Sequence, residues 1–310
     1  MRIFVFSYNR GRYLRNCLAS LSRHAPRYPV TVVDDGSTDP AVEAALVTFK
    51  DQVQVIRNER ESKAYLGGLY ANMQRALDDS VEEEWLLFIQ DDQQIVRDLD
   101  ARDERHWRRF FDAYPDAVEL TATFLKPNRR PGSLKFTIDP DVPVYFRDDS
   151  VSRRAHFAAT GIFHAARLRQ AGWRFSPTEG DNNQRALEQG LRMGFTPYPF
   201  MMWLPNAESS KFRRKSLVHR FAEWYREFGF HPYHPMTQEE VARLHERDIG
   251  ELPLAQELLR AVDMVPGKPW RFEDATKSFR FLHRHLKRKK KKQAAHASQE
   301  KKNSMEHPRD

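Results

Sequence analysis

The amino-acid sequence predicts an α/β protein: a Rossmann-like, mostly parallel sheet flanked by helices, followed by a helix-rich C-terminal region. Three observations carry that expectation. Four short apolar runs in the first hundred residues alternate with segments of helical spacing, the pattern of parallel strands joined by right-handed crossovers. Polar clusters follow three of the four runs, and in such sheets ligands bind beyond the carboxyl ends of the strands. The composition, 40% hydrophobic and 12% aromatic, can bury a large core and excludes whole-chain disorder.

Arg2–Phe6 (RIFVF) reads as a short buried strand, closed by the polar turn Ser7-Tyr8-Asn9-Arg10-Gly11. Tyr13, Cys17, Leu18 and Leu21 then recur at helical spacing. Val30–Val33 is a second strand, ending on Asp34-Asp35-Gly36-Ser37. A helix from Pro40 to Phe49 begins on proline, where a missing N–H costs little. Val53–Ile56 is the third strand, Tyr65–Leu77 the third helix, and Trp85–Ile89 the fourth strand, ending on Gln90-Asp91-Asp92. Further on, a helix over His106–Tyr114 leads to a strand over Val118–Phe124 and a Pro/Arg-rich loop from Lys126 to Pro143. Phe157–Phe163 passes into a helix near Leu168, and Asp181–Arg192 is another helix. Residues 215–286 are helix-rich, interrupted at Gly229–Pro235 and Pro266-Gly267. No internal repeat is visible.

The 310 residues suffice for one large domain or two modest ones. No apolar run approaches the ~18 residues of a membrane span, and Met1–Phe6 lacks the features of a secretory signal. The single cysteine, Cys17, cannot form an internal disulfide. The chain therefore reads as cytoplasmic. With 51 Lys+Arg against 43 Asp+Glu, it carries a formal +8, six units of which come from Lys287–Lys292. Phe279, Phe281, Leu282 and Leu286 suggest an amphipathic helix running into those charges. Such a run is a solvated tail, a contact for an anionic membrane surface through 279–292, or a contact for nucleic acid; no specific nucleic acid is expected.

Paired acidic residues at a strand end have two main uses. They hold a hard divalent cation against a diphosphate, or they hydrogen-bond ribose hydroxyls or a base edge. Asp91-Asp92 suits the first use, and Asp34-Asp35 allows either; capping and turn formation are the structural alternatives. Tyr8 stands where its ring either stacks on a base or packs on the domain surface. Arg57 and Lys63 are isolated cations able to neutralise phosphate. Gly-x-Gly-x-x-Gly, the P-loop and the Gly-x-Ser-x-Gly elbow are all absent, and zinc spacing fails with one cysteine.

FVFSYNRGRYLRNCLASL, VTVVDDGSTD and WLLFIQDD, in this order and spacing, resemble glycosyltransferase family 2, whose members have the GT-A fold. A further stretch, TGIFHAARLRQAGWRFSPTEGDNNQRALEQGLRMGF, resembles the acceptor-side segment that ends in the family's Glu-Asp signature, so the resemblance runs from Arg2 to Phe200. It implies inverting transfer of a sugar from a nucleoside diphosphate donor, UDP in the first instance, to an acceptor hydroxyl. Tyr8 and Asp34 would contact the base, with Ser7, Asn9, Asp35 and Lys63 in the donor pocket. Asp91 would meet the ribose or the metal, and Asp92 the divalent cation, Mn²⁺ or Mg²⁺. Asp181 would be the general base.

Three positions depart from the family pattern. Gln90 stands where Asp is usual, Gly180 precedes Asp181 with Glu179 as a substitute, and Asn206 and Glu208 stand where many relatives place a metal-binding histidine. A third ligand is therefore unassigned. Lys211, Arg213 and Arg214 read as a basic turn or as support for the leaving diphosphate.

The resulting expectation is a donor-binding half over 1–100, an acceptor-binding half over 101–214, a helical extension over 215–286 and a basic tail over 287–310. The enzyme would build a bacterial surface glycan or glycolipid on a lipid-linked or glycan acceptor, peripheral to the inner face of the membrane. A non-catalytic GT-A-like module that binds polyanions through its tail is the alternative from another class, and a nucleotidyltransferase the alternative enzyme.

Overall fold

The computed structural model of the protein describes residues 1–58, 68–126, 134–147, 157–205 and 229–262, with positions 207, 217, 220, 221 and 224. Strand β1 (Arg2–Ser7) sits inside the sheet and is buried on both faces. Because side chains alternate along a strand, Ile3 and Val5 enter one core while Phe4 and Phe6 enter the other. The first core receives α1 (Gly11–His24), α2 (Pro40–Thr48) and α4 (Ala101–Ala113); the second receives α3 (Leu69–Asp79), α5 (Ala165–Gln170) and α6 (Glu179–Glu188). Three layers result. In α1 the buried positions Tyr13, Cys17, Leu18 and Leu21 form the predicted stripe, joined by Leu14, and Cys17 is fully buried.

Strands β2 (Val30–Asp34), β3 (Val53–Arg57) and β4 (Trp85–Gln90) are parallel to β1, as the apolar runs predict. The nine-stranded sheet has the order β3-β2-β1-β4-β9-β6-β10-β8-β7. Its second half comprises β6 (Ala117–Thr121), β7 (Phe136–Asp139), β8 (Val144–Arg147), β9 (Gly161–His164) and β10 (Arg192–Phe195). Strand β9 is antiparallel to both β4 and β6 and reverses the chain between two parallel groups. A separate pair joins β5 (Gln93–Ile95) to β11 (Met201–Trp203). The mostly parallel α/β sheet flanked by helices is thus present.

Four boundaries differ from expectation. Part of the predicted Lys126–Pro143 loop is β7, which pairs antiparallel with β8; β7 is half-exposed and gives no apolar run. The helix predicted from Asp181 to Arg192 begins at Glu179, capped by Thr178, and ends at Glu188; Arg192 already belongs to β10. Helix α4 begins before His106 because Asp100 and Asp103 form a reciprocal capping box. Asp103 also pairs with Arg97 at 2.7 Å, both side chains buried, and Arg97 donates to the carbonyls of Asp98, Tyr198 and Pro199.

By backbone contacts the chain divides into a first unit, Met1–Pro205 with Phe230–Trp270, and a second, Asn206–Gly229 with Arg271–Asp310. In the first unit, helices over Gln238–Glu246 and Ala255–Leu258 follow the sheet. The predicted Tyr65 start of α3 and the amphipathic segment 279–292 lie outside the described residues. No helix among the described residues is long and apolar enough to cross a membrane.

Candidate active site at the carboxyl edge of the sheet

The turn after β1 is held by Asn9, whose backbone adopts φ 51°, a left-handed conformation that Asn tolerates better than most residues. Its N–H donates to Ser37 Oγ at 2.8 Å, and its Oδ1 accepts from the N–H groups of Thr38 and Asp39 at 2.7 and 3.1 Å. Asn9 therefore laces the β1 turn to the β2 turn. Asp39 caps α2 through Ala41 and accepts from the Gly11 N–H at 3.1 Å. Gly11 is required there, since a Cβ would fall 2.1 Å from the Ala41 carbonyl carbon.

Asp34 is buried at the end of β2, with its carboxylate accepting from Ser37 Oγ at 2.5 Å and Ser37 N at 3.0 Å. The Asp35 carboxylate lies against the start of α3, in space that a Cβ on Gly68 would fill at 2.3 Å. Ser7, Tyr8, Asn9, Asp34 and Asp35 thus come together, with Ser7, Asn9 and Asp34 also shaping the turns. Lys63 lies outside the described residues, as do Asn206 and Glu208.

Asp91 Oδ2 accepts from Ser7 Oγ at 3.3 Å and from Tyr8 N at 3.1 Å, joining the ends of β1 and β4. Burial pushes its carboxyl up to about 7, with adjacent Asp92 adding to the rise; Arg10, the Tyr8 N–H and Ser7 oppose it. The Arg10 guanidinium reaches Asp92 Oδ2 at 2.5 Å and Asp91 Oδ1 at 3.5 Å. Burial disfavours the Arg10 charge, but the two aspartates outweigh it and hold its pKa above the ordinary value. Asp92 Oδ1 is buried and lacks a hydrogen-bond partner among the described residues. Such an oxygen suits a hard cation. No group of three His, Cys, Asp or Glu forms around it among the described residues.

Beyond β6, Leu125 exchanges backbone bonds with Pro253 and Ala255, which sets the following Lys126 over the Trp203 ring, Nζ 3.6 Å from its centroid. Burial lowers the Lys126 pKa to about 8, while Asp92 and Glu179 act to raise it. Glu119 is fully buried, which pushes its carboxyl well above the usual range; it accepts from Thr121 Oγ1 and Ala158 N. The charge of Glu179 bears on Lys126, Glu119, Arg147 and Tyr70. Asp181 is exposed, and its carboxylate accepts from Thr178 Oγ1 at 2.7 Å within the cap of α6. Arg10, Lys126 and Glu119 carry no local sequence signal of a site, because each acquires its role from partners distant in sequence.

Residues 2–106 match the family described as Glycosyl transferase family 2. The matched segment contains all the strand-end groups from Ser7 to Asp92; Lys126, Glu179 and Asp181 lie beyond it. Among solved structures, the chain is similar to S. aureus TarS residues 1–349, at 18% identity over 74% of this chain and 64% of that one, with a TM-score of 0.46. It is also similar to a mannosyltransferase from Pyrobaculum calidifontis in complex with GDP-Man and Mn²⁺, at 16% identity over 80% and 64%, with a TM-score of 0.40. A third is the galactosyltransferase LgtC in complex with donor and acceptor sugar analogues, at 12% identity over 63% and 73%, with a TM-score of 0.38. The chain spans 64% of each of the first two structures. No curated protein sequence matches.

Proposed function

We propose that the protein is an inverting glycosyltransferase that moves a sugar from a nucleoside diphosphate donor, UDP in the first instance, to an acceptor hydroxyl. The observation that carries this reading is the convergence of Ser7, Asp34, Asp91 and Asp92 at the carboxyl edge of three parallel strands within a family 2 segment.

Asp34 and Asp35, with Tyr8 and Lys63, serve the nucleoside end of the donor. Asp91 fixes the β1 turn through the Tyr8 N–H, so the pocket wall and the acidic pair are positioned together. Asp92 Oδ1 would hold a divalent cation, Mn²⁺ or Mg²⁺, which when bound neutralises the diphosphate and favours its departure. Lys126, close enough for Asp92 to raise its pKa, adds positive charge on the same side. The acidic start of α6 supplies the base: Asp181 by resemblance, with Glu179 as the carboxylate whose field reaches Lys126 and Arg147. It takes the acceptor proton as the hydroxyl oxygen bonds the anomeric carbon, the bond to the diphosphate oxygen breaks, and configuration inverts.

A lipid-linked or glycan acceptor in bacterial surface glycan synthesis, with a cytoplasmic enzyme at the membrane face, completes the proposal. The test is a thermal-shift panel of UDP-, GDP-, CMP- and dTDP-sugars, each with and without Mn²⁺ or Mg²⁺. A rise with one nucleotide that needs the cation is expected. A flat panel on folded protein refutes donor binding and leaves the non-catalytic module.

A further inference from the structure

The second unit, 206–229 with 271–310, holds 19 of the 51 Lys and Arg residues and 8 of the 43 Asp and Glu, a formal +11. The rest of the chain nets −3. Within this unit Leu217, Phe221 and Trp224 are helical and exposed at 82%, 51% and 74%. Their spacing of four and then three residues places them on one helical face, and the Phe221 and Trp224 rings lie 5.7 Å apart. The sequence continues the spacing to Phe228 and intersperses Arg213, Arg214, Lys215, Arg220 and Arg226. A contiguous exposed apolar stripe marks an interaction surface. Large apolar and aromatic residues on one face, with Lys and Arg on the others, define a helix that lies in a lipid interface.

We infer that the helix bearing Leu217, Phe221 and Trp224 docks on an anionic lipid surface. The stripe enters the headgroup boundary, and the positive unit supplies the electrostatic half of the attraction. Charge complementarity selects this occupant: a second copy of the chain would bring a second +11 against the first. The inference is independent of sugar transfer, since the readout is lipid binding by the full chain.

The test is co-sedimentation of the full chain with vesicles of phosphatidylcholine alone or mixed with phosphatidylglycerol, at low and high salt. Binding to the anionic vesicles is expected, weakening as salt screens the charge. The variant Leu217→Ser/Phe221→Ser/Trp224→Ser, which alters exposed positions, is expected to bind at least about tenfold more weakly at each salt. Equal binding of variant and wild type overturns the inference, as does wild type left in the supernatant. Binding to poly(U) with none to vesicles overturns it in favour of nucleic acid, and a dimer that only wild type forms, with no vesicle binding, in favour of self-association. The difference in fluorescence between wild type and Trp224→Phe gives a reading that does not depend on the triple variant folding. A blue shift on adding anionic vesicles is expected, and an unshifted difference spectrum overturns the assignment.

Discussion

Arg10 sets its guanidinium 2.5 Å from Asp92 Oδ2, and the other oxygen of that carboxylate is buried without a hydrogen-bond partner among the described residues. One oxygen of Asp92 is thus balanced from within the protein, while the other is available to a ligand. Asp92→Asn keeps the shape and removes the charge. In the thermal-shift panel this variant should lose the cation-dependent part of the donor response. A full Mn²⁺ or Mg²⁺ dependence in Asp92→Asn would remove that residue from the metal site.

The two carboxylates at the start of α6 separate cleanly by substitution. Asp181→Asn and Glu179→Gln should both leave donor affinity nearly intact, because neither touches the strand-end cluster. The variant that removes the base should lose turnover by roughly a hundredfold or more, the usual size of a general-base contribution. Side-by-side kcat measurements decide between them; if both variants keep wild-type turnover, the base lies elsewhere.

Gly11→Ala should destabilise the protein by about 3 kcal/mol, since backbone rather than a yielding side chain occupies the space of the new methyl group. Gly190 has φ 65° and open space around it, so Gly190→Asn should cost less than about 1 kcal/mol. Urea melts of the two variants test the contrast. Equal losses would mean that α1 and α2 part to admit a side chain.

His106 makes a 3.0 Å hydrogen bond with Thr196 Oγ1, and burial lowers its pKa from 6.5 to about 4. Nearby His245, Arg97 and Arg109 lower it further, and Asp103 opposes them. Between pH 6.5 and 4 the unfolded chain binds a proton that the folded imidazole refuses, so this residue makes stability fall as pH drops. Asp91 and Glu119, whose pKa values are raised, act in the opposite direction. Comparing urea melts at pH 6.5 and 5, His106→Gln should lose about 1–2 kcal/mol less than wild type. Identical losses would show that His106 is protonated without cost.

The first half of the sheet was legible because buried parallel strands read as unbroken apolar runs and their ends as abrupt polar turns. RIFVF, VTVV and WLLFI show this directly, and with them came Ser7–Asn9, Asp34-Asp35 and Asp91-Asp92. The second half was hidden for physical reasons. Strand β7 alternates half-exposed residues, and β10 contains Gly194, where a Cβ would meet Phe110 and Val144 at 2.8 Å. Arg10 looked like one more turn residue because its partners are more than eighty positions away. The setting of Lys126 depends on the Trp203 ring beneath it and on the charge of Asp92, both distant in sequence, and no local pattern announces that. In α6, the Thr178 cap places the helix start two residues earlier than the acidic signature suggests.

The lone thiol has a practical consequence. Cys17 sits fully buried on the face of α1 that meets the sheet, and burial raises its pKa well above the ordinary value. A maleimide added to the native protein must wait for α1 to lift away before it can react. The rate of single-site labelling is therefore a built-in clock for that opening. Slowing of the clock by a nucleotide sugar would report how far donor binding tightens the helix beneath the pocket, without a tag or an engineered probe.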